Sequence, residues 1–214
     1  MAILSQGILG PVTGRTGPVV SYVRFGQNIT RSLSNTKKNK IETPARKMQR
    51  QKIKVCNEFT KAFTGTGFFN KSFPAYGGTC SGYNRVTSAI MNLAIIGSFP
   101  DIGISYPQVL ISKGPLPAAE KASATTNSEG KIVFTWEINT DIGTAKENDK
   151  VILVAYFPAI KKAVFSTGAA WRKSGQALLG TGETLGEIAE TWLGFLSNDE
   201  KNASVSVYCG RVIA

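Results

Sequence analysis

The chain has 214 residues, of which 42% are apolar and 18% charged, with three cysteines, no histidine and a net charge of +11. That length and apolar content allow a sizeable core without metals or disulfides, and no apolar run approaches the ~18 residues that a membrane span needs. The lack of histidine removes the commonest general base and metal ligand together, which excludes Ser-His-Asp, Cys-His and histidine-zinc chemistry.

The first residues, MAILSQGILGPVTGRT, have no basic region ahead of their apolar pieces and do not read as a secretory signal. Cys56, Cys80 and Cys209 are odd in number and form no C-x-x-C pair, as suits thiols in a reducing compartment. The expected location is the cytoplasm of the producing cell, or an assembled particle that leaves it.

Residues 7–33 are glycine-punctuated and rich in β-formers. Val19, Ser21, Val23 and Phe25 alternate with Val20, Tyr22 and Arg24, Gly26-Gln27-Asn28 offers a turn, and Ile29–Ser32 returns as a second strand. The expectation is a β-hairpin arm with one apolar side. A lone hairpin is marginal in water, so it has to lie on another surface. Within the arm, GPVTGRT superficially resembles a phosphate-binding loop. It has three residues between its glycines rather than four, Arg15 in place of the lysine, and a strand-like continuation, so the glycines read as turn residues.

LSNTKKNKIE, residues 33–42, forms a polar linker, and a helix begins at once: Thr43 caps it, Pro44 takes the first position, and TPARKMQRQKIKVCNEFTKAF holds no breaker. At 100° per residue Ala45, Met48, Val55, Cys56, Phe59, Ala62 and Phe63 fall on one side, while Arg46, Lys47, Arg50, Lys54 and Lys61 form a basic ridge on the other. A loop rich in glycine and aromatics, GTGFFNKSFPAYGGTC, follows; its rings read as buried anchors in preference to base-stacking platforms. A second helix is expected over about 82–96, with Gly97 as its stop.

From Ser105 the rhythm changes to period two. QVLIS, KIVFTWEI, DKVILVAYF, AVFST, QALLGTG, ETWLGFLS and ASVSVYCGRVI read as seven strands, with Ile132, Phe134, Trp136 and Ile138 sharing one face. Their number and spacing predict an antiparallel immunoglobulin- or fibronectin-like β-sandwich. Gly180-Thr-Gly182-Glu-Thr-Leu-Gly186 lacks the βαβ setting of a dinucleotide fingerprint, and Glu183, Glu187 and Glu190 read as a solvated edge.

The fold expected is therefore mainly β with an α-helical segment: an arm and linker over 1–42, two helices within 43–104, and a sandwich over 105–214 that folds alone. Residues 1–100 carry 14 basic side chains against only Glu42 and Glu58, whereas residues 101–214 carry 11 against 12 acids. Such asymmetry is the footprint of a surface that meets phosphates or an acidic partner. The candidate contact residues are Arg15, Arg24, Arg31, Lys37, Lys38 and Lys40 in the arm, and Arg46, Lys47, Arg50, Lys54 and Lys61 on the ridge.

GILGPVTGRTGPVVSYVRFGQNITRS, TPARKMQRQKIKV, SYPQVLISKGPLP and GFLSNDEKNASVSVYCGRV together resemble a family of uncharacterised proteins of about this length from Bacteroidota. Arg15-Thr16-Gly17 and Pro18-Val19-Val20 occupy its Gly-Lys-x-Gly-x-Val-Val strand start and Arg31-Ser32 its Arg-Ser, while Gln49 and Arg50 match its helix signature only loosely. The resemblance implies an architecture and no activity; basic glycine-rich starts ahead of a β-module also occur, by analogy, in phage structural proteins. The leading expectation is a non-enzymatic structural subunit of an oligomer or larger assembly, a phage virion or related particle, needing neither cofactor nor membrane. The alternative is a nucleic-acid-binding protein that uses the arm and ridge on phosphates.

Overall fold

The computed structural model describes residues 2–4, 12–24, 26–33, 42–75, 80–140, 142–182 and 186–214. It divides into two units, residues 1–42 and 43–214.

The first unit is an antiparallel sheet in simple meander order, β1 (Ala2–Leu4), β2 (Val12–Thr16), β3 (Val19–Arg24) and β4 (Gln27–Ser32). The expected hairpin is present as β3 and β4, with Tyr22 opposite Ile29 and Val19 opposite Ser32. Two further strands extend it, and β4 opens at Gln27 rather than at Ile29. GPVTGRT contributes Val12–Thr16 to β2, and Gly17, at φ +59°, makes the turn into β3. A left-handed residue between two strands is turn chemistry, as the spacing implied.

In the second unit α1 (Pro44–Lys61) starts where its cap signals place it, with the Thr43 side chain accepting from the Arg46 N–H at 3.4 Å and Pro44 at the first position. Its C-terminal half is the anchored one. Cys56, Phe59, Thr60 and, just beyond it, Phe63 are buried, whereas Ala45 is exposed. The aromatic loop folds into a short helix, α2 (Phe68–Ser72), whose Phe68 and Phe69 are buried together with Phe73. These rings are anchors, as expected; Phe63 and Phe68 stack at 5.3 Å.

α3 (Gly82–Leu93) crosses close to α2. A Cβ at Gly82 would stand 1.9 Å from the Phe69 carbonyl oxygen, so only glycine allows the approach. α3 stops three residues earlier than the periodicity suggests, because Ile95–Ser98 (β5) pairs with Asp101–Ile104 (β6) in a small hairpin. Gly97, φ +85°, belongs to that hairpin and not to a helix cap.

Beyond it, β7 (Glu120–Thr126), β8 (Ile132–Glu137), β9 (Lys150–Phe157), β10 (Lys162–Trp171), β11 (Gln176–Leu179), β12 (Ile188–Leu196) and β13 (Val207–Ile213) form two antiparallel sheets, ordered β10-β9-β12-β13 and β11-β8-β7. They face each other over Ile132, Phe134, Trp136, Leu153, Phe157, Leu193 and Phe195. The chain is thus mainly β, with antiparallel sheets and three α-helices among the described residues.

Seven strands were expected here, and one of them differs. QVLIS is irregular: Tyr106–Gln108 makes a single 3₁₀ turn, and the Ile111 N–H is taken by the Ser206 hydroxyl at 3.0 Å instead of by a strand. Its place is filled by β7, EKASATT, whose only apolar side chains are alanines. Ile138 lies past the end of β8 and is exposed, unlike Ile132, Phe134 and Trp136.

The outer face of β9 and β12 decides how the unit is built. Ile152, Val154, Tyr156, Trp192 and Leu196 share a core with Cys56, Phe59, Phe63, Phe68, Val86 and Ile90. Phe59 lies 4.7 Å from the Tyr156 ring and 6.1 Å from Trp192. Residues 43–104 therefore roof one sheet of the sandwich, and the expectation that 105–214 folds alone does not fit a strand pair buried on both faces.

Candidate functional site

Pairing across β2, β3 and β4 places Arg15 and Arg31 on either side of Val20. Directly paired residues, and residues two apart on one strand, share a face, so Tyr22 and Arg24 join them there. The arm thus gathers Arg15, Arg24 and Arg31 onto one side of its sheet. Arg15 Nε donates to the Gly17 carbonyl at 3.1 Å, and the Arg31 guanidinium lies 5.8 Å from the centre of the Tyr22 ring. Lys37, Lys38 and Lys40 lie outside the described residues.

On α1, Arg46, Lys47, Arg50, Lys54 and Lys61 are all exposed and fall in a stripe about 100° wide running ~22 Å along the helix. No acidic residue occupies the first turn. Arg46 and Lys47 instead stand at the positive end of the helix dipole, where cations are disfavoured by a few tenths of a kcal/mol each. A shallow hollow of about 380 Å³ runs beside the ridge, lined by Arg50, Ile53, Lys54, Asn57, Glu58 and Lys61.

One neighbour of the ridge was not legible in the sequence. Lys161, from the turn between β9 and β10, is 103 residues from Glu58 and donates to its carboxylate at 2.8 Å. That hydrogen bond holds the Glu58 carboxyl below its usual range. The pair is largely exposed and adds little stability; it marks where the β9–β10 turn meets the ridge's flank.

Glu190 departs from expectation. It is 1% exposed and not on a solvated edge, with Arg211 Nε at 2.9 Å and the Tyr208 hydroxyl donating to its other oxygen. Tyr156 and Trp192, buried under the helices, pack on that face of β12. Tyr208 is pushed up to about 12, first by burial and then by the hydrogen bond to Glu190. Glu183 lies outside the described residues. Burial also raises the Cys56 thiol to about 11 and Cys209 to about 12, so both stay protonated at neutral pH and are poor nucleophiles. No helix among the described residues is long and apolar enough to cross a membrane.

A family of unknown function, DUF6266, matches residues 5–210, from the arm through to the last strand. The chain belongs to that family. No curated protein matches the chain. Among solved structures, the three fibronectin domains FN1–FN3 of chicken CNTN1 align at 11% identity with a TM-score of 0.38, over 48% of this chain and 34% of that one. The chain thus covers about a third of that protein, and at this TM-score the likeness carries no argument about function. The family's function is unknown, which leaves the chemistry to the residues described above.

Proposed function

We propose that this DUF6266 protein is a non-enzymatic structural subunit that assembles with copies of itself, the arm being its docking element. One observation carries the reading: the arm is a regular four-stranded sheet in which none of the residues 12–24 and 26–33 is buried, and Val23 and Leu33 are exposed. A sheet with no buried side chain among residues 12–24 and 26–33 is marginal, and an edge strand such as β4 offers backbone groups that add readily to another sheet. The 3 + 4 strand order, with β10 beside β9, supports a fibronectin-like sandwich as the body on which such an arm docks. A phage virion, or a related particle made in a Bacteroidota host, is the kind of assembly this fits.

Deleting residues 1–42 is expected to leave a folded protein and to abolish large species in size-exclusion chromatography with light scattering. An unchanged distribution after the deletion would overturn the proposal.

A second reading rests on the ridge. Five exposed cations in one stripe, two of them set against the helix dipole, are retained at a small cost to the helix itself and support contact with phosphates. Replacing Arg46, Arg50 and Lys54 together by Gln is expected to flatten the slope of log affinity against log salt on duplex DNA by roughly 2–3 units. Gln preserves helix propensity and the buried face is untouched. Gel-shift titrations at several salt concentrations measure the slope; a wild type that fails to bind at low salt leaves the ridge to an acidic protein surface or to solvent.

A further inference from the structure

A second concavity, distinct from the ridge and the arm, lies between α3 and the chain segments at 73–75 and 113–115. Its volume is about 750 Å³, within the range of small-molecule sites. Phe73, Ala89, Leu93, Pro115 and Val205 make it apolar, and Leu93 and Val205 are 52% and 38% exposed. Two cations enter this lining, Arg85 and Lys113, and no acidic side chain does among the described residues.

Arg85 is held in place and only partly satisfied. Its Nη1 donates to the Pro74 carbonyl at 2.8 Å, while Nε is buried without an acceptor among the described residues. One guanidinium N–H is committed to Pro74, and charge-assisted hydrogen bonds to an anionic oxygen suit the remaining Nη donors. Lys113 is exposed and has no carboxylate partner among the described residues.

Part of the backbone at the groove is committed. The Pro74 carbonyl is taken by Arg85, the Lys113 N–H goes to the Ser72 carbonyl at 3.0 Å, and Pro74 and Pro115 have no N–H. These groups are closed to the main chain of an extended peptide, and an aliphatic body needs none of them.

We propose that the groove binds a small monocarboxylate with an aliphatic body, the carboxylate between Arg85 and Lys113 and the chain along Phe73, Leu93 and Val205. The proposal is independent of the assembly reading, since neither the arm nor the ridge lines the groove.

Calorimetric titration of the full chain with octanoate, and with octanol as the uncharged control, tests it. Octanoate is expected to bind and to raise the melting temperature, as any ligand of the native state does. Octanol is expected to bind at least about tenfold more weakly, because it cannot complete the charge-assisted hydrogen bonds. Lys113→Gln, at an exposed position, is expected to cost octanoate about tenfold, and Leu93→Glu to weaken it further by repulsion. Both substitutions spare the Arg85–Pro74 contact, so the test does not depend on a variant that fails to fold. Absence of octanoate binding, equal binding of octanol, or octanoate affinity unchanged in both variants would each overturn the proposal. So would capture of a peptide with a free, apolar C-terminus in place of octanoate.

Discussion

Residues 105–214, expressed without the helices, are expected to aggregate or to form ANS-binding oligomers, whereas residues 43–214 are expected to be soluble and to unfold cooperatively. Ile152, Val154, Tyr156, Trp192 and Leu196 are each no more than 4% exposed on the face that α1 to α3 cover. Removing that cover returns five large side chains to water at about 1.5–3 kcal/mol each, a sum comparable to the whole stability of a domain. The same interface is probed in the intact chain by Phe59→Ala, which removes the ring lying against both Tyr156 and Trp192 and is expected to cost about 3–5 kcal/mol. Urea denaturation measures the point variant, and light scattering with ANS fluorescence the fragment. A monomeric 105–214 fragment that denatures at the same urea concentration as 43–214 would show that the roof contributes no stability.

Arg172→Met is expected to lower stability by about 3–5 kcal/mol, roughly 10 °C in melting temperature. Arg172 is fully buried at the end of β10, and burial pulls its pKa down. It stays charged because its neighbours are arranged around it. Nε meets Asp149 at 3.1 Å, Nη1 donates to Asn139 at 2.8 Å and Nη2 to the Pro117 carbonyl at 3.1 Å, and the guanidinium lies 3.7 Å from the centre of the Phe195 ring. Its own carbonyl accepts from Trp136 Nε1 at 2.8 Å. Methionine fills much of the volume but leaves the Asp149 carboxylate, itself 1% exposed, without its counterion. Adding Asp149→Asn to Arg172→Met is expected to restore part of the loss, since an amide tolerates burial better than a lone charge. Thermal unfolding of the two single variants and the double variant decides it; a wild-type melting temperature for Arg172→Met would show that the buried pair contributes nothing.

Both expected outcomes bear on function through rigidity. The roof joins α1, and with it the basic ridge, to the sandwich, so the ridge is carried by a body with one continuous core on its outer sheet. The buried arginine closes the far end of the other core, where β8, β10 and the loop at 117 meet.

By itself the sequence determined the local structure and the placement of charge. Thr43 and Pro44 specify the start of α1, the alternation of Ile132, Phe134 and Trp136 specifies a half-buried strand, and the excess of Lys and Arg before residue 62 specifies an exposed basic face. Each of these depends on neighbours within a few residues, where helical and strand periods act. What covers an apolar face depends on residues far away, and only the tertiary structure decided it. The alternation in β9 and β12 is masked because both faces are buried, so the periodicity could not reveal that helices roof one of them. Glu190 and Arg172 carry charges that composition assigns to water, yet their partners, Arg211, Tyr208, Asp149 and Asn139, are 18 to 33 residues away and meet them only in the folded sheet. QVLIS has the apolar content of a strand, but Ser206, 95 residues from Ile111, takes the backbone group that a neighbouring strand would have paired.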